Sequence, residues 1–419
     1  MGQRLGGRVR GATTTLFALG GVLGQSARVY LIAVVLEVIL HSELGWVEAQ
    51  TGLPPLVSAV SAIVLVSLLW TLMGGITTVV WTDALLFCVF LAAAVIALVT
   101  VVSGVEGGVG EVLRVGGEAG KLQLVDTTLT LRKPYTIWAA LVAQSWAGLA
   151  PYGVDQLMAQ RLFCCRGVAE ARKAIVASYA GVAVIVLVGL VGVALYAWYR
   201  HHPLTGEALA LYEGDPDRIF PIFVLEAIPT GLRGLILAGV FAAAISSLDS
   251  ILAALSQTVL SAVYLPWRER NRPAGFDEAD EHRRAVRVSR ALVVVFALLL
   301  GAMAVFAADV KEHYKAVLDL ALALAGYTQG ALLAGFFLAW RKRPAGRDLG
   351  SGFVWSAALS VLAVFVVAWR QPWAETAYLI AACTLVGLWL LLRVWIDRAT
   401  ALAPSLFLAL GLLGLGWLQ

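Results

Sequence analysis

Hydroxyl and carboxyl side chains within long apolar stretches are the residues of this chain best suited to chemistry. In the segment GVFAAAISSLDS (residues 239–250), Ala243, Ser246, Ser247 and Ser250 recur at intervals that place them on one face of a helix. Two adjacent hydroxyls and a backbone carbonyl give a set of oxygen ligands that suits a hard cation such as sodium. The same small residues would also suit close packing of two helices, with each Ser hydroxyl bonded to a backbone carbonyl.

Two carboxylates share this apolar environment. Asp249 lies in the same stretch, and Asp83 lies in GGITTVVWTDALL (residues 74–86), shortly after a Gly-Gly pair. A lone carboxylate within a bilayer costs about 3 kcal/mol or more unless it faces a cavity, a cation or a hydrogen-bond donor. The positive end of a helix dipole could also stabilise an aspartate near a helix start. The sequence therefore leaves Asp83 either as a cation ligand or as a helix-start residue.

A third polar region interrupts a predicted helix. Gly148, Pro151 and Gly153 break the segment SWAGLAPYGVDQLMAQR (residues 145–161), and Tyr152 and Gln156 lie beside the break. Transporters hold their substrates near broken spans of this kind, close to the middle of the bilayer. An ordinary proline kink at a helix end is the alternative interpretation.

The elements that must position these groups are helices in a lipid bilayer. Hydrophobic residues make up 60% of the 419 residues, charged residues 14%, and the mean hydropathy is +0.84. Soluble chains have about 45–50% apolar and about 25% charged residues. About eleven stretches are long enough, or nearly so, to cross a bilayer core. They lie at 12–40, 54–74, 78–104, 135–158, 173–199, 231–264, 285–308, 315–340, 352–369, 376–395 and 402–418. Because none shows the alternation of a barrel strand, we expect an all-α integral membrane protein.

The distribution of basic residues predicts the orientation of the chain. Lys and Arg concentrate in alternate connecting segments, including one that contains Arg161, Arg166 and Arg172. The positive-inside rule then puts the N-terminus in the cytoplasm and the C-terminus outside. This topology explains the basic segments without a nucleic-acid partner. The loops are short, and the spans contain no nucleophile–base pair or metal-ligand cluster, so we do not expect an enzyme.

Four segments, taken in order, resemble the sodium:solute symporter family, which includes glucose, proline, iodide and sialic acid carriers. They are GGITTVVWTDALL (74–86), YGVDQLMAQRLFCCRGVAEARKA (152–174), GLRGLILAGVFAAAISSLDSILAALSQTVLSAVYLPW (231–267) and YTQGALLAGFFLAWRKR (327–343). The resemblance implies the leucine-transporter (LeuT) type of fold, with two inverted five-helix repeats. It also implies that sodium moving down its gradient drives a solute uphill.

The resemblance assigns roles to individual residues. It implies that the family's widely shared sodium site is formed by Ala243 (through its carbonyl), Ser246 and Ser247. It places a second sodium site, found in members that couple two ions, at Asp83, Ser246 and Ser250. Asp249 stands where better-known members have Ser, Thr or Ala, so it either adds a ligand to the second site or points elsewhere.

The resemblance also bears on the solute. Tyr152 falls near the aromatic residue that gates the substrate pocket from inside, and Gln156 lies in the same substrate-binding region. Where sugar carriers place a lysine and a glutamine, this chain has Val182 and, approximately, Ala321. A polyol bound there would leave buried donors unpaired, which disfavours a sugar. A smaller or more apolar solute is expected, and an organic anion remains open.

The resemblance finally predicts the domain organisation. MGQRLGGRVRG matches the basic turn before the family's third core helix, so the leading helix and the first two core helices are expected upstream of Met1. We predict one transmembrane domain over 1–419. Within it, 1–133 would hold the rest of the first repeat and an external loop, 134–340 the second repeat, and 341–419 extra C-terminal helices.

The predicted function is sodium-coupled symport of a small organic solute across a plasma or inner membrane. Its partners would be sodium, the solute and membrane lipid, with sodium as the coupling ion and no other cofactor. The oligomeric state is left open. The alternative is a truncated or degenerate homologue that does not transport, such as a membrane sensor or subunit.

Overall fold

The computed structural model describes residues 5–73, 76–123, 125–128, 136–138, 140–141, 145–271, 278–311, 317–340, 350–370 and 383–388. Every regular element within these residues is helical, in agreement with the predicted all-α class. Helices satisfy their backbone hydrogen bonds internally, which a chain this apolar requires in lipid.

Sixteen α-helices are described within these ranges. The first eight are α1 (Gly7–Ile39), α2 (His41–Thr51), α3 (Pro55–Met73), α4 (Ile76–Ser103), α5 (Gly108–Glu118), α6 (Ser145–Gly153), α7 (Gln156–Phe163) and α8 (Val168–Ser178). The others are α9 (Gly181–His201), α10 (Gly206–Gly214), α11 (Ile219–Ala227), α12 (Thr230–Val259), α13 (Leu265–Arg270), α14 (Glu278–Lys311), α15 (Val317–Trp340) and α16 (Gly350–Arg370).

Six of the described helical stretches are long and apolar enough to cross a membrane. They are Gly7–Ile39, Pro55–Met73, Val80–Ser103, Val168–His201, Thr230–Arg270 and Ala279–Asp309. Two shorter apolar helices, Thr328–Trp340 and Ser351–Ala363, coincide with two further predicted spans. The predicted spans at 376–395 and 402–418 lie largely or wholly outside the described residues.

Helix α1 lies at the centre of the packing and contacts α3, α12, α14 and α15. Its core includes Leu36, which packs in one cluster with Ile63, Leu252 and Leu300 from three of these helices. Small residues bring the helices close together. A Cβ added at Gly20 would lie only 1.9 Å from Thr328 Oγ1 of α15, so this contact has no room for a methyl group.

The contact between α4 and α12 is equally close and positions the candidate site. A Cβ added at Gly239 would lie 2.4 Å from Ala93 Cβ and 3.5 Å from the Val89 carbonyl oxygen. Small-residue contacts of this kind let helix backbones approach in membranes. Two turns further along α12, the same approach brings Ser246 to Asp83 on α4.

Candidate functional site

Helix α12 carries the hydroxyl face that the sequence predicts. The helix runs without a break from Thr230 to Val259 and continues through a π-helical turn at Leu260–Tyr264 into α13. Beyond Gly239 it contains neither Gly nor Pro, so nothing in its sequence interrupts the hydrogen-bond ladder. The regular helix therefore keeps Ser246 and Ser250 one turn apart on the side that meets α4.

The Asp83 carboxylate is the centre of the cluster. The Ser246 hydroxyl donates to Asp83 Oδ1 at 2.6 Å, and the Ser250 hydroxyl donates to Oδ2 at 3.3 Å. Asp83 lies in the second turn of α4, and its side chain is 15% exposed. The structure thus brings together the three residues assigned to the second sodium site, while their role as sodium ligands remains a prediction.

Arg161 is the residue of this cluster that sequence reasoning missed. The sequence predicts a basic connecting segment around Arg161, but the residue lies in the last turn of α7 and its side chain reaches the site. Its Nη2 donates to Asp83 Oδ2 at 2.7 Å and to the Ser250 hydroxyl at 2.8 Å. The guanidinium is the cationic partner that a carboxylate within a span requires. The signal in the sequence was an arginine directly after a polar, interrupted helix.

Asp249 contributes a second carboxylate to the same region. Its side chain is fully buried, and neither carboxylate oxygen has a hydrogen bond to the residues that the structure describes. Ser250 lies beside it without reaching hydrogen-bonding geometry, and Asp83 is near enough for its charge to act on Asp249. Whether Asp249 adds a ligand to the second sodium site or points elsewhere stays a prediction.

The predicted shared sodium site lies on the same helix. Ala243 and Ser247 are half-buried on α12, on either side of Ser246 in the chain. Among the described residues, no hydrogen bond is formed by the Ser247 hydroxyl, so this oxygen lacks a protein partner there. Carbonyl and hydroxyl oxygens are ligands that hard cations prefer. The assignment of sodium to Ala243, Ser246 and Ser247 stays a prediction.

The predicted break near Pro151 is confirmed. Helix α6 contains Pro151 and ends at Gly153, and Asp155 begins α7 by accepting a hydrogen bond from the Leu157 amide at 2.8 Å. The Tyr152 hydroxyl lies 3.1 Å from Ser178 Oγ, and the Tyr152 ring stacks on Tyr179.

Tyr152 remains partly exposed, with 38% of its surface accessible. Gln156 is the first residue of α7 and is half-buried. The position of both residues at the break is compatible with a substrate gate, which remains a prediction.

The chain is similar in sequence to a known protein family and to sodium-coupled transporters. The model of the family described as "Sodium:solute symporter family" matches residues 26–343. The chain is 27% identical over 333 residues to sodium-coupled monocarboxylate transporter 2 of Danio rerio, covering 79% of this chain and 49% of the relative. It is 27% identical over 275 residues to the sodium/sialic acid symporter NanT of Aliivibrio fischeri, covering 65% and 52%.

The chain spans about half the length of these curated relatives. Among solved structures, it is similar to a Na+-coupled sialic acid symporter in its substrate-bound outward-open state, with a TM-score of 0.69. That match has 21% sequence identity and covers 93% of this chain and 74% of the other. At this sequence identity the similarity supports the fold alone, and it confirms the predicted LeuT-type architecture.

Proposed function

Because the chain belongs to the sodium:solute symporter family, we propose that it carries out sodium-coupled symport of a small organic solute. Its relatives include transporters whose names specify sodium coupling to monocarboxylates, sialic acid and a vitamin group. The site that would hold sodium lies on α12, opposite α4. The protein would act in a plasma or inner membrane, with the first helix entering from the cytoplasm.

The observation that carries the proposal is the cluster around Asp83. The Asp83 carboxylate on α4 meets the Ser246 and Ser250 hydroxyls on α12, and these oxygens would supply ligands of the type that sodium prefers. Such groups are costly within a membrane span and mark ion pathways. A purely structural role for Asp83 would need only a compensating charge, which Arg161 already supplies. The two Ser hydroxyls are therefore the groups that favour an ion site.

Arg161 gives the cluster a specific mechanism. Its guanidinium and a sodium ion would compete for Asp83 Oδ2, because each needs the same carboxylate oxygen. Sodium binding would therefore release Arg161 from α4 and α12 at the same time. Since Arg161 lies on α7, the helix that follows the break after Gly153, its release would loosen the broken segment that is expected to border the solute.

Uptake by proteoliposomes tests the proposal. The purified protein is reconstituted, and accumulation of labelled small solutes is measured with an inward sodium gradient and with a matched choline gradient. We expect sodium-dependent accumulation, and Ser247→Ala should raise the sodium concentration for half-maximal uptake because sodium loses one of its few ligands.

Ser261→Ala serves as the matched control. Ser261 is exposed, lies on the same continuous helix and bonds to the Thr258 carbonyl. An unchanged sodium response in Ser247→Ala would show that the assigned site is wrong. Absence of sodium-dependent uptake for every solute would refute symport and favour the non-transporting alternative.

A further inference from the structure

A groove that is separate from the sodium cluster lies between the start of α1 and the segment that leads into α13. Its volume is about 660 Å³, and it opens onto the surface of the protein. We call it the arginine groove, because it is lined by Arg8 and Arg10 of α1, by Arg270 of α13, and by apolar side chains within residues 262–267. Residue 262 lies about three helical turns beyond Ser250, or about 18 Å along a helix axis, so the Asp83 cluster does not extend into it.

The arginine groove lies where two membrane spans end. The span Gly7–Ile39 begins at the groove, and the span Thr230–Arg270 ends there. Trp267, which lines the groove, is 56% exposed, and its ring centroid lies 6.2 Å from that of Tyr264. Trp and Tyr side chains are enriched at the boundary between lipid and water. The groove is therefore at the level of lipid headgroups, on the side of the membrane that the basic residues predict to be cytoplasmic.

Two arginines of the groove have hydrogen-bond donors that the described protein does not use. The Arg10 Nε atom is buried, and no described residue accepts a hydrogen bond from it. The Arg270 side chain is exposed and forms neither a hydrogen bond nor an ion pair within the described residues. A guanidinium carries five N–H donors, and a buried donor without an acceptor is costly. These donors favour an acceptor that comes from outside the protein.

The positive charge of the groove is not cancelled by neighbouring carboxylates. Among the described residues, three arginines and no acidic side chain line the groove. Glu269 precedes Arg270 in the chain, but it is exposed and lies outside the lining. Glu281 is already paired with Arg268, at 3.0 Å. The groove thus attracts an anionic group.

We propose that the arginine groove binds the phosphate of an anionic phospholipid from the surrounding bilayer. A guanidinium matches phosphate oxygens with parallel donors, and basic pockets between helices on the cytoplasmic side suit lipid headgroups. Apolar side chains in the same lining favour a lipid over free phosphate, because the lipid can also cover Val263, which is 53% exposed, and Trp267. The bound lipid would join α1 to α13, which continues the helix that carries the sodium-binding residues.

Native mass spectrometry of the purified protein in detergent tests this inference without any transport assay. The protein is titrated with phosphatidylglycerol, with phosphatidylcholine, and separately with glycerol phosphate and inorganic phosphate. We expect one phosphatidylglycerol molecule to bind more tightly than phosphatidylcholine, whose choline group cancels the charge of its phosphate. Glycerol phosphate and inorganic phosphate should bind more weakly, because neither can cover the apolar part of the groove.

Single substitutions identify the groove as the place of binding. Arg10→Gln and Arg270→Gln should each weaken phosphatidylglycerol binding about fivefold, because each removes one charge at the headgroup. Arg172→Gln is the matched control, since it removes one exposed positive charge from α8 on the same predicted side of the membrane. Its affinity for the lipid should be that of the native protein.

Arg270→Glu should weaken phosphatidylglycerol binding further than Arg270→Gln, because it repels the headgroup. Arg270 is exposed, so its two variants decide the outcome if Arg10→Gln does not yield folded protein. Equal affinity for phosphatidylglycerol and phosphatidylcholine would overturn the inference. Equal weakening by Arg172→Gln and Arg270→Gln would also overturn it, since binding would then follow total charge. Binding of glycerol phosphate as tight as that of phosphatidylglycerol would assign the groove to a free phosphate and overturn the lipid.

Discussion

Replacement of Arg161 by Gln gives the sharpest test of competition at Asp83. The change removes the cation that now contacts Asp83 and Ser250, and leaves Asp83 and Asp249 without it. Removing one partner of a fully buried ion pair costs about 3–5 kcal/mol, and exposed pairs contribute about 1 kcal/mol or less. Because the Arg161 side chain is 37% exposed and that of Asp83 15%, we expect an intermediate cost of about 1–3 kcal/mol in the absence of sodium.

Sodium should reverse most of this loss. In the native protein, sodium must displace Arg161 from Asp83, whereas in Arg161→Gln it would bind to an uncompensated carboxylate. A ligand at about 100 times its Kd stabilises a protein by about 2.7 kcal/mol, which is of the same size as the expected loss. The variant should therefore melt earlier than the native protein in choline chloride and show a larger rise of melting temperature in sodium chloride.

The assay is thermal unfolding of the purified protein in detergent, followed by tryptophan fluorescence across a sodium titration at constant ionic strength. Arg166→Gln is the matched control, since Arg166 is a nearby arginine whose hydrogen bond to Glu170 is made by its backbone amide. Equal sodium-induced shifts in the native protein and in Arg161→Gln would refute competition at Asp83. A double-mutant cycle with Asp83→Asn would then measure whether the pair couples at all.

Three other changes test separate parts of the site. Gly239→Leu should lower the melting temperature and abolish its rise in sodium, because the new Cβ would meet Ala93 at 2.4 Å and separate α4 from α12. Gly234→Leu is the control, since it lies on the same helix and a Cβ added there meets no atom within 4 Å. Asp249→Asn should weaken sodium binding about tenfold in the same titration, since it removes a negative charge near Asp83. An unchanged sodium affinity would show that Asp249 does not contribute to sodium binding. Tyr152→Phe should leave uptake nearly native if the ring forms the gate, whereas Tyr152→Ala should alter the rate of solute release in exchange assays.

The sequence predicted the local part of the site well. The spacing of Ser246 and Ser250 depends only on helix geometry, so the face they form on α12 could be predicted without knowledge of the rest of the fold. The break near Pro151 was equally predictable, because proline and glycine act through their own backbones. The sequence alone leaves Asp83 with two interpretations, and in the structure it faces the hydroxyl donors Ser246 and Ser250 and the cationic side chain of Arg161.

The partner of Asp83 could not be predicted in the same way. Arg161 is separated from Asp83 by 78 positions along the chain, and the contact depends on how α7 turns back after the break. Charge statistics of loops identify orientation, but they assign every arginine near a span end to the aqueous side.

Asp83, Arg161, Asp155 and Arg28 carry charges of alternating sign, and this row of charges has an electrical consequence. The row holds two aspartates and two arginines, so it carries no net charge of its own when all four are ionised. Over a complete cycle, the net charge that crosses the membrane would therefore be the charge of the cargo alone, because side chains such as Asp249 return to their starting positions. Accumulation of a solute with one negative charge, carried with one sodium ion, would be insensitive to membrane voltage. A second sodium would add one elementary charge, and a potential of 100 mV would contribute about 2.3 kcal/mol to driving accumulation.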